Sequence, residues 1–186
     1  VIVTIDPVND DPSGSPEGSL VNGTEDVAYT VAAADLLDGF SDADGDVLSV
    51  ANLLASDGAV TDNGNGTFTV TPSANFNGNV TLTYDVEDGN GGSLTGQQLS
   101  YTIDAVNDGP TISGDLALSV AEGGTVAITS ADLAGSDVDD FGSELTYTLL
   151  SAPTLGQLEL TTTPGTSVTS FSQDDLDEGL VVYVSI

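Results

Sequence analysis

Residues 101–110 read Tyr101-Thr102-Ile103-Asp104-Ala105-Val106-Asn107-Asp108-Gly109-Pro110, and residues 3–12 read Val3-Thr4-Ile5-Asp6-Pro7-Val8-Asn9-Asp10-Asp11-Pro12. The two decapeptides lie 98 residues apart and share seven of ten positions. Each is a β-patterned run that enters an acidic turn and stops at proline, which has no N–H to continue a ladder. A phrase written twice at this spacing signals tandem repeats of roughly 100 residues. That period is too long for a solenoid and suits independent β-sandwich domains joined end to end. The expected division is residues 1–6 as the last strand of a preceding repeat, 7–107 as one repeat, and 108–186 as a second. The chain reads as a piece of a longer polypeptide.

The segments between the two phrases support an all-β sandwich. In the first repeat the expected strands are 19–21, 27–32, 47–54, 59–61, 67–71, 79–87 and 97–104, with one helical turn at 34–38. Residues 59–61 and 67–71 flank Asp62-Asn63-Gly64-Asn65-Gly66, a strong hairpin signal. Val80, Leu82, Tyr84 and Val86 alternate, as a half-buried strand requires. The second repeat opens alike. Glu122 follows the pattern of Glu25, Ala131-Asp132-Leu133 that of Ala34-Asp35-Leu36, and Ser136-Asp137-Val138-Asp139 that of Ser41-Asp42-Ala43-Asp44. Strands are expected at 144–150, 158–161, 167–171 and 180–186, with a turn or short helix at 173–179. No stretch after residue 150 matches 79–104, so by this comparison the second repeat lacks two strands. Either they were trimmed or another chain supplies them.

Composition narrows the chemistry. The chain has 30 Asp plus Glu and no Lys, Arg or His, for a formal charge of −30. No side-chain salt bridge can form. Two carboxylates 10 Å apart in water repel by roughly 0.4 kcal/mol before screening, and many such pairs strain a compact fold. Something cationic must relieve this, and bound metal ions are the available source. Phosphate contacts need basic groups, so nucleic acid is not a partner. No run approaches the length of a membrane-spanning helix. Without Cys there is no disulfide, thiolate nucleophile or sulfur metal site.

Four acidic groups recur where a sandwich has its loops: Glu25; Asp42, Asp44 and Asp46; Asp85, Glu87 and Asp88; and Asp104, Asn107 and Asp108. Calcium takes six to eight oxygen ligands from carboxylates, amides and backbone carbonyls. An Asp-x-Asp loop offers two carboxylates, Asn a neutral oxygen, and Gly a backbone that can fold around an ion. Zinc would want His or Cys, and magnesium seldom favours a crowded protein cage. A solubilising acidic surface is the alternative for any single Asp, although such a surface normally mixes in Lys. Residues 41–46 resemble the start of an EF-hand loop but fail its test: with Asp42 first, the twelfth position is Leu53, not Glu.

Taken in order, these motifs resemble bacterial cadherin-like repeats of large surface adhesins, including those exported by type I secretion. The linkers at Asp6–Asp10 and Asp104–Asp108 resemble the cadherin D-x-N-D-N junction. Glu25 and Glu122 resemble its early-strand glutamate. Asp85-Val86-Glu87 resembles D-R-E with Val for Arg, and Asp42-Ala43-Asp44 and Asp137-Val138-Asp139 resemble D-x-D. The LTYTLLSAPTLGQLEL and FSQDDLDEGLVVYV stretches are similar to the chondroitin-sulfate-proteoglycan type of cadherin-like repeat. The resemblance implies tandem Greek-key sandwiches with calcium at each junction. Glu25, Asp85, Glu87, Asp104, Asn107 and Asp108 would serve one junction together with Asp137, Asp139 and Asp140. Asp6, Asn9 and Asp10 with Asp42, Asp44 and Asp46 would serve the one before it, and Glu122 a third.

The implied role is a calcium-rigidified extender in a long extracellular adhesin or surface filament, with neighbouring repeats of the same polypeptide as its partners. The alternatives are a calcium-dependent module that binds sugar, peptide or another copy of the chain, and a filament subunit assembled by strand donation. Enzymatic activity is not expected. Carboxylate pairs alone could serve glycoside hydrolysis, but the chain offers no His, Lys or Cys to complete other catalytic constellations.

Overall fold

The computed structural model describes residues 8–186, so the strand expected at residues 1–6 lies outside the described residues. The chain forms two compact units, Val1–Val106 and Asn107–Ile186.

Unit 1 runs β1 (Ser13–Gly14), β2 (Gly23–Thr24), β3 (Tyr29–Ala32), α1 (Ala33–Leu36), β4 (Phe40–Ser41), β5 (Ser49–Ala55), β6 (Ala59–Asp62), β7 (Thr67–Thr71), β8 (Gly78–Glu87) and β9 (Ser93–Asp104). Its two main sheets have the orders β2-β9-β8-β5 and β3-β7-β6, and β1 pairs with β4. The period-2 pattern of β8 sends Val80, Leu82, Tyr84 and Val86 into the core, each at most 1% exposed. They pack with Val31, Leu36, Phe68, Val70, Tyr101 and Ile103. The buried Tyr84 hydroxyl finds its partner by donating to Leu36 O at 2.6 Å. Tyr101 stacks on Tyr29 with ring centroids 4.2 Å apart.

Local sequence sets the turns. Gly64 and Gly66 take φ of 71° and 79° in the β6–β7 hairpin, and Asp62 Oδ1 accepts from Gly64 N at 2.8 Å. A bulge between Ala51 and Leu54 places Asn52 at φ 52°, and its side-chain amide donates to Asp85 Oδ2 at 2.8 Å. Two expectations shift. The edge strand expected at 19–21 is found at Gly23–Thr24, where it runs parallel to Ile103 and Asp104; Val21 remains exposed. The closing strand begins at Ser93 rather than 97, because β8 continues to pair with it past a bulge between Tyr84 and Val86.

Unit 2 runs β10 (Thr111–Ser113), β11 (Thr125–Ala127), β12 (Ala134–Ser136), a 3-10 turn (Gly142–Glu144), β13 (Thr146–Thr148), β14 (Gly156–Leu160), β15 (Ser170–Ser172), α2 (Gln173–Asp177) and β16 (Val181–Ser185). The sheets are β10-β12, β11-β16-β14 and β13-β15. Its core is Leu158, Phe171, Leu176 and Val181, with Tyr147 stacked on Phe171 at 5.0 Å. The strand expected over 144–150 shortens to β13, since Glu144 Oε2 accepts from Phe141 N and closes the 3-10 turn. The strand expected at 167–171 starts at Ser170 and passes directly into α2. Ser172 caps that helix: its Oγ accepts from Asp175 N, while Asp175 Oδ2 accepts from Ser172 N at 2.8 Å.

Candidate metal centres

The acidic loop of unit 1 is shaped by its own first carboxylate. Asp42 Oδ1 accepts from Asp44 N at 2.8 Å and from Asp46 N at 3.3 Å, the local Asp-to-backbone bonding that curls an Asp-x-Asp segment. The linker then docks on the loop: Asp10 N donates to Asp44 Oδ2 at 2.7 Å. Carboxylate oxygens of Asp42, Asp44 and Asp46 lie within 4.8 Å of one another. Like charges at that distance repel by about 1 kcal/mol in water and about 3 kcal/mol at an effective dielectric near 20. Asp42 Oδ2 is buried and accepts no hydrogen bond.

Unit 2 repeats the arrangement. Asp137 Oδ1 accepts from Asp139 N at 2.9 Å and from Asp140 N at 3.3 Å. Asp108 N donates to Asp139 Oδ2 at 2.7 Å. Asp137 Oδ2 is again buried without a hydrogen-bond partner. Asn107 Nδ2 bonds the neighbouring Asp108 O at 2.5 Å. Two loops of different sequence, Asp-Ala-Asp-Gly-Asp and Asp-Val-Asp-Asp, thus share the bond from the second Asp's amide to the first, the linker amide on the second Asp, and an orphaned oxygen on the first; the further donor sits four residues on in unit 1 and three in unit 2.

A third acidic group lies where β2 meets the end of β9. Glu25 is 3% exposed, its Oε2 accepts from Val106 N at 2.9 Å, and its Oε1 is buried with no partner. Glu25 N donates to Asp104 O, and the Asp104 carboxylate accepts from Asn22. A buried oxygen left unpaired costs about 1–3 kcal/mol, more for a charged group. The chain has no basic side chain to offset this at any of the three places. An oxygen-only set of carboxylates, amides and main-chain carbonyls fits calcium.

The structure does not bring every expected ligand together. Glu87 pairs with Ser93 at one end of β9, whereas Thr24 pairs with Asp104 at the other. Twelve residues at roughly 3.3 Å each separate those ends by about 35 Å. Asp85 and Glu87 therefore cannot share an ion with Glu25 and Asp104, as the expected junction set required. Asp85 is occupied with the bulge: its oxygens accept from Asn52 Nδ2 and Gly96 N, and those two bonds hold its carboxyl below the usual range. Glu87 is exposed.

Asp88 instead meets the linker that docks on the first acidic loop, through Asn9. It is 4% exposed, accepts from Asn9 Nδ2 at 2.6 Å, and takes the amides of Asn90 and Gly92. The Asn9 bond is the largest cause of its lowered pKa; burial opposes it. Sequence reading missed Asp11 and Gly92. A Cβ at residue 92 would fall on the Asp88 carboxylate and 2.8 Å from Asp11 Oδ1, so only glycine lets these groups converge. The signal was the second glycine of Gly91-Gly92, which a turn alone does not need. Glu122 is exposed in the turn before β11, and Asp6 lies outside the described residues.

Comparison with known proteins gives matches across the chain. Residues 8–104 match the family model described as a cadherin-like domain, and residues 110–185 match a second, also described as cadherin-like. The human extracellular matrix organizing protein FRAS1 is 34% identical over 107 residues, 58% of this chain and 3% of that protein. Extracellular matrix protein 3 of Lytechinus variegatus is 29% identical over 103 residues, 55% of this chain and 3% of that protein. Human chondroitin sulfate proteoglycan 4 is 39% identical over 85 residues, 45% of this chain and 4% of that protein. The chain thus spans a few per cent of the length of these relatives. No solved structure matches.

Proposed function

Because the chain belongs to the cadherin-like domain family, we propose that it is a calcium-stiffened extender segment of a long extracellular adhesion or matrix protein. The relatives named for the extracellular matrix support that setting, and no helix among the described residues is long and apolar enough to cross a membrane.

The observation that carries the reading is the duplicated loop. In both units a linker amide bonds the second Asp of an Asp-x-Asp loop while the first Asp keeps one buried oxygen without a hydrogen bond. Calcium would be held by Asp42, Asp44, Asp46 and Asp88 with Asn9, Asp10 and Asp11 in unit 1. In unit 2 it would be held by Asp137, Asp139 and Asp140 with Asn107 and Asp108. Glu25 and Asp104 form a further oxygen-rich place. Bound calcium would neutralise the clustered carboxylates. The protein's part is to curl each loop through the first Asp, and to fasten the linker backbone to it. A fastened linker cannot swivel, and consecutive units then act as a stiff spacer rather than repelling beads.

Calorimetric titration of calcium into the metal-stripped chain tests this. The unmodified chain should bind several ions, and Asp137→Ala should remove the unit 2 share while leaving the unit 1 share intact. Equal stoichiometry and affinity in the two proteins would refute the assignment.

A further inference from the structure

The chain has five Asn–Gly steps, and the β6–β7 hairpin carries two of them in succession, Asn63-Gly64-Asn65-Gly66. Asn–Gly is the step at which a polypeptide modifies itself in water. The backbone nitrogen of the glycine attacks the side-chain amide carbon of the asparagine, and glycine has no Cβ to obstruct the approach. Local sequence does not rank the two steps, since each is an asparagine followed by glycine. Solvent access does not rank them either, because Asn63 and Asn65 are both exposed.

Hydrogen bonding separates them. At the first step Gly64 N donates to Asp62 Oδ1 at 2.8 Å, so the attacking nitrogen is engaged. Asn63 Nδ2 donates to Thr67 Oγ1 at 2.9 Å and to Thr69 Oγ1 at 3.1 Å, and Asn63 Oδ1 accepts from Thr69 Oγ1 at 3.2 Å. The amide must leave all of these to react. At the second step the pattern is reversed. Asn65 Oδ1 accepts from Thr67 Oγ1 at 2.7 Å and from Thr67 N at 3.2 Å. Among the described residues, neither Gly66 N nor Asn65 Nδ2 has a hydrogen-bond partner. The nucleophile and the leaving group are free, and two donors already hold the oxygen on which negative charge develops. Donors placed at that oxygen stabilise the tetrahedral intermediate. One threonine hydroxyl thus restrains Asn63, from which it accepts, and polarises Asn65, to which it donates.

We infer that Asn65 is a self-modification site that the folded hairpin selects over Asn63. A bond forms between Gly66 N and Asn65 Cγ, and the Cγ–Nδ2 bond breaks. The Gly66 N–H proton passes through solvent to Nδ2, which leaves as ammonia, and a five-membered succinimide closes. Water then adds to one of the two ring carbonyls and opens the ring to aspartate or isoaspartate. Both products set a carboxylate where a neutral amide stood. Isoaspartate also lengthens the backbone by one methylene. That change bears on the fold, because Gly66 O accepts from Ala33 N at 2.9 Å and so ties the hairpin tip to the start of α1. Ageing through isoaspartate displaces this carbonyl and loosens the first turn of α1. No residue in the step belongs to the candidate metal centres, so the inference does not depend on bound metal.

Ageing the unmodified chain at neutral pH in heavy-oxygen water tests it, because each event during incubation then leaves an isotopic label. Peptide mass spectrometry locates the label, and electron-transfer fragmentation separates isoaspartate from aspartate. In the folded chain Asn65 should convert at least about tenfold faster than Asn63, and in denaturant the two rates should converge. Thr67→Val removes the hydroxyl donor and should slow Asn65 by about threefold or more in the folded chain, with no change in denaturant. Amide exchange at Ala33 should be faster in the isoaspartate fraction than in unaged protein. Equal rates at Asn63 and Asn65 in the folded chain would overturn the inference, as would a faster Asn63. This comparison needs no variant, since one chain carries both sites. A folded Thr67→Val chain that converts Asn65 at the unmodified rate would likewise overturn the role given to the threonine.

Discussion

Among the described residues, unit 1 buries eleven apolar side chains in its core and unit 2 buries four, yet in both acidic loops the first Asp accepts from the amide of the second and a linker amide bonds the second Asp. Core and linker chemistry are therefore separable. The loops are made by short-range bonds from an Asp to amides a few residues on, plus one bond from the linker. Such geometry needs no particular core beneath it. The cores instead depend on long-range strand pairing.

The sharpest break between the units is in the core. Leu82 is fully buried, and Leu82→Ala should cost about 2–5 kcal/mol, the usual range for a core truncation. Leu158, 7% exposed in the smaller cluster of unit 2, should cost less on the same change because the site can relax. Denaturant unfolding followed by tyrosine fluorescence would resolve the two transitions. Equal losses would mean that unit 2 is packed as tightly as unit 1.

Calcium removal comes next and should act on both units. A ligand at 100 times its Kd stabilises by about 2.7 kcal/mol, which for a unit of this size corresponds to a melting shift of roughly 10 °C or more. Calorimetry with and without chelator would show it. A shift confined to one transition would break the equivalence of the two loops.

Gly92→Ala probes a feature that unit 1 has and unit 2 lacks. The added methyl meets the Asp88 carboxylate and Asp11, so it should cost about 1–3 kcal/mol by overpacking and weaken calcium at the first loop only. Calcium titration of the variant reads both effects, and an unchanged first site would remove Asp88 from the ligand set.

The smallest expected effect is on acid sensitivity. In unit 2, Asp132 is held low by the Thr129 hydroxyl and amide, Glu159 by the Gln157 amide and Gly165 N, and Asp175 by Ser172 N and its hydroxyl. A carboxylate whose folded pKa is depressed stabilises the fold above its unfolded value and loses that contribution as pH falls through the folded one. Unit 2 should therefore lose stability below about pH 4, from the ordinary carboxylate range downward. Ser172→Ala should flatten that dependence, because one donor to Asp175 is gone. Stability measured from pH 5 to pH 3 in both proteins checks the sign.

Much of this was legible in the sequence. The duplicated decapeptides marked the repeat, and alternation in residues 79–87 gave β8 nearly to the residue. The Asp-x-Asp spacing identified both loops, because that local bonding depends on neighbours alone. What sequence order hid was which end of the sandwich each carboxylate occupies. Asp85 and Glu87 sit in the last residues of the long strand β8, with Asp88 just past it, and only the pairing of Glu87 with Ser93 shows them at the opposite end from Asp104. Motif order suggested a D-R-E equivalent, but Asp85 turned out to hold the Asn52 bulge. The closeness of Asp11 to Asp88 was also hidden, since it needs the turn at Gly92 and the docked linker together. In unit 2, the strand expected at 144–150 was overestimated at its start, where the Glu144 carboxylate closes the 3-10 turn.

The central claim, that calcium fastens each linker to the loop beside it, is tested most directly by small-angle scattering of the chain with calcium and with chelator at matched ionic strength. Fastened linkers require a narrower, well-defined distance distribution with calcium and a broader one after chelation, reversed when the metal is restored. Profiles that superimpose in the two conditions would contradict calcium stiffening.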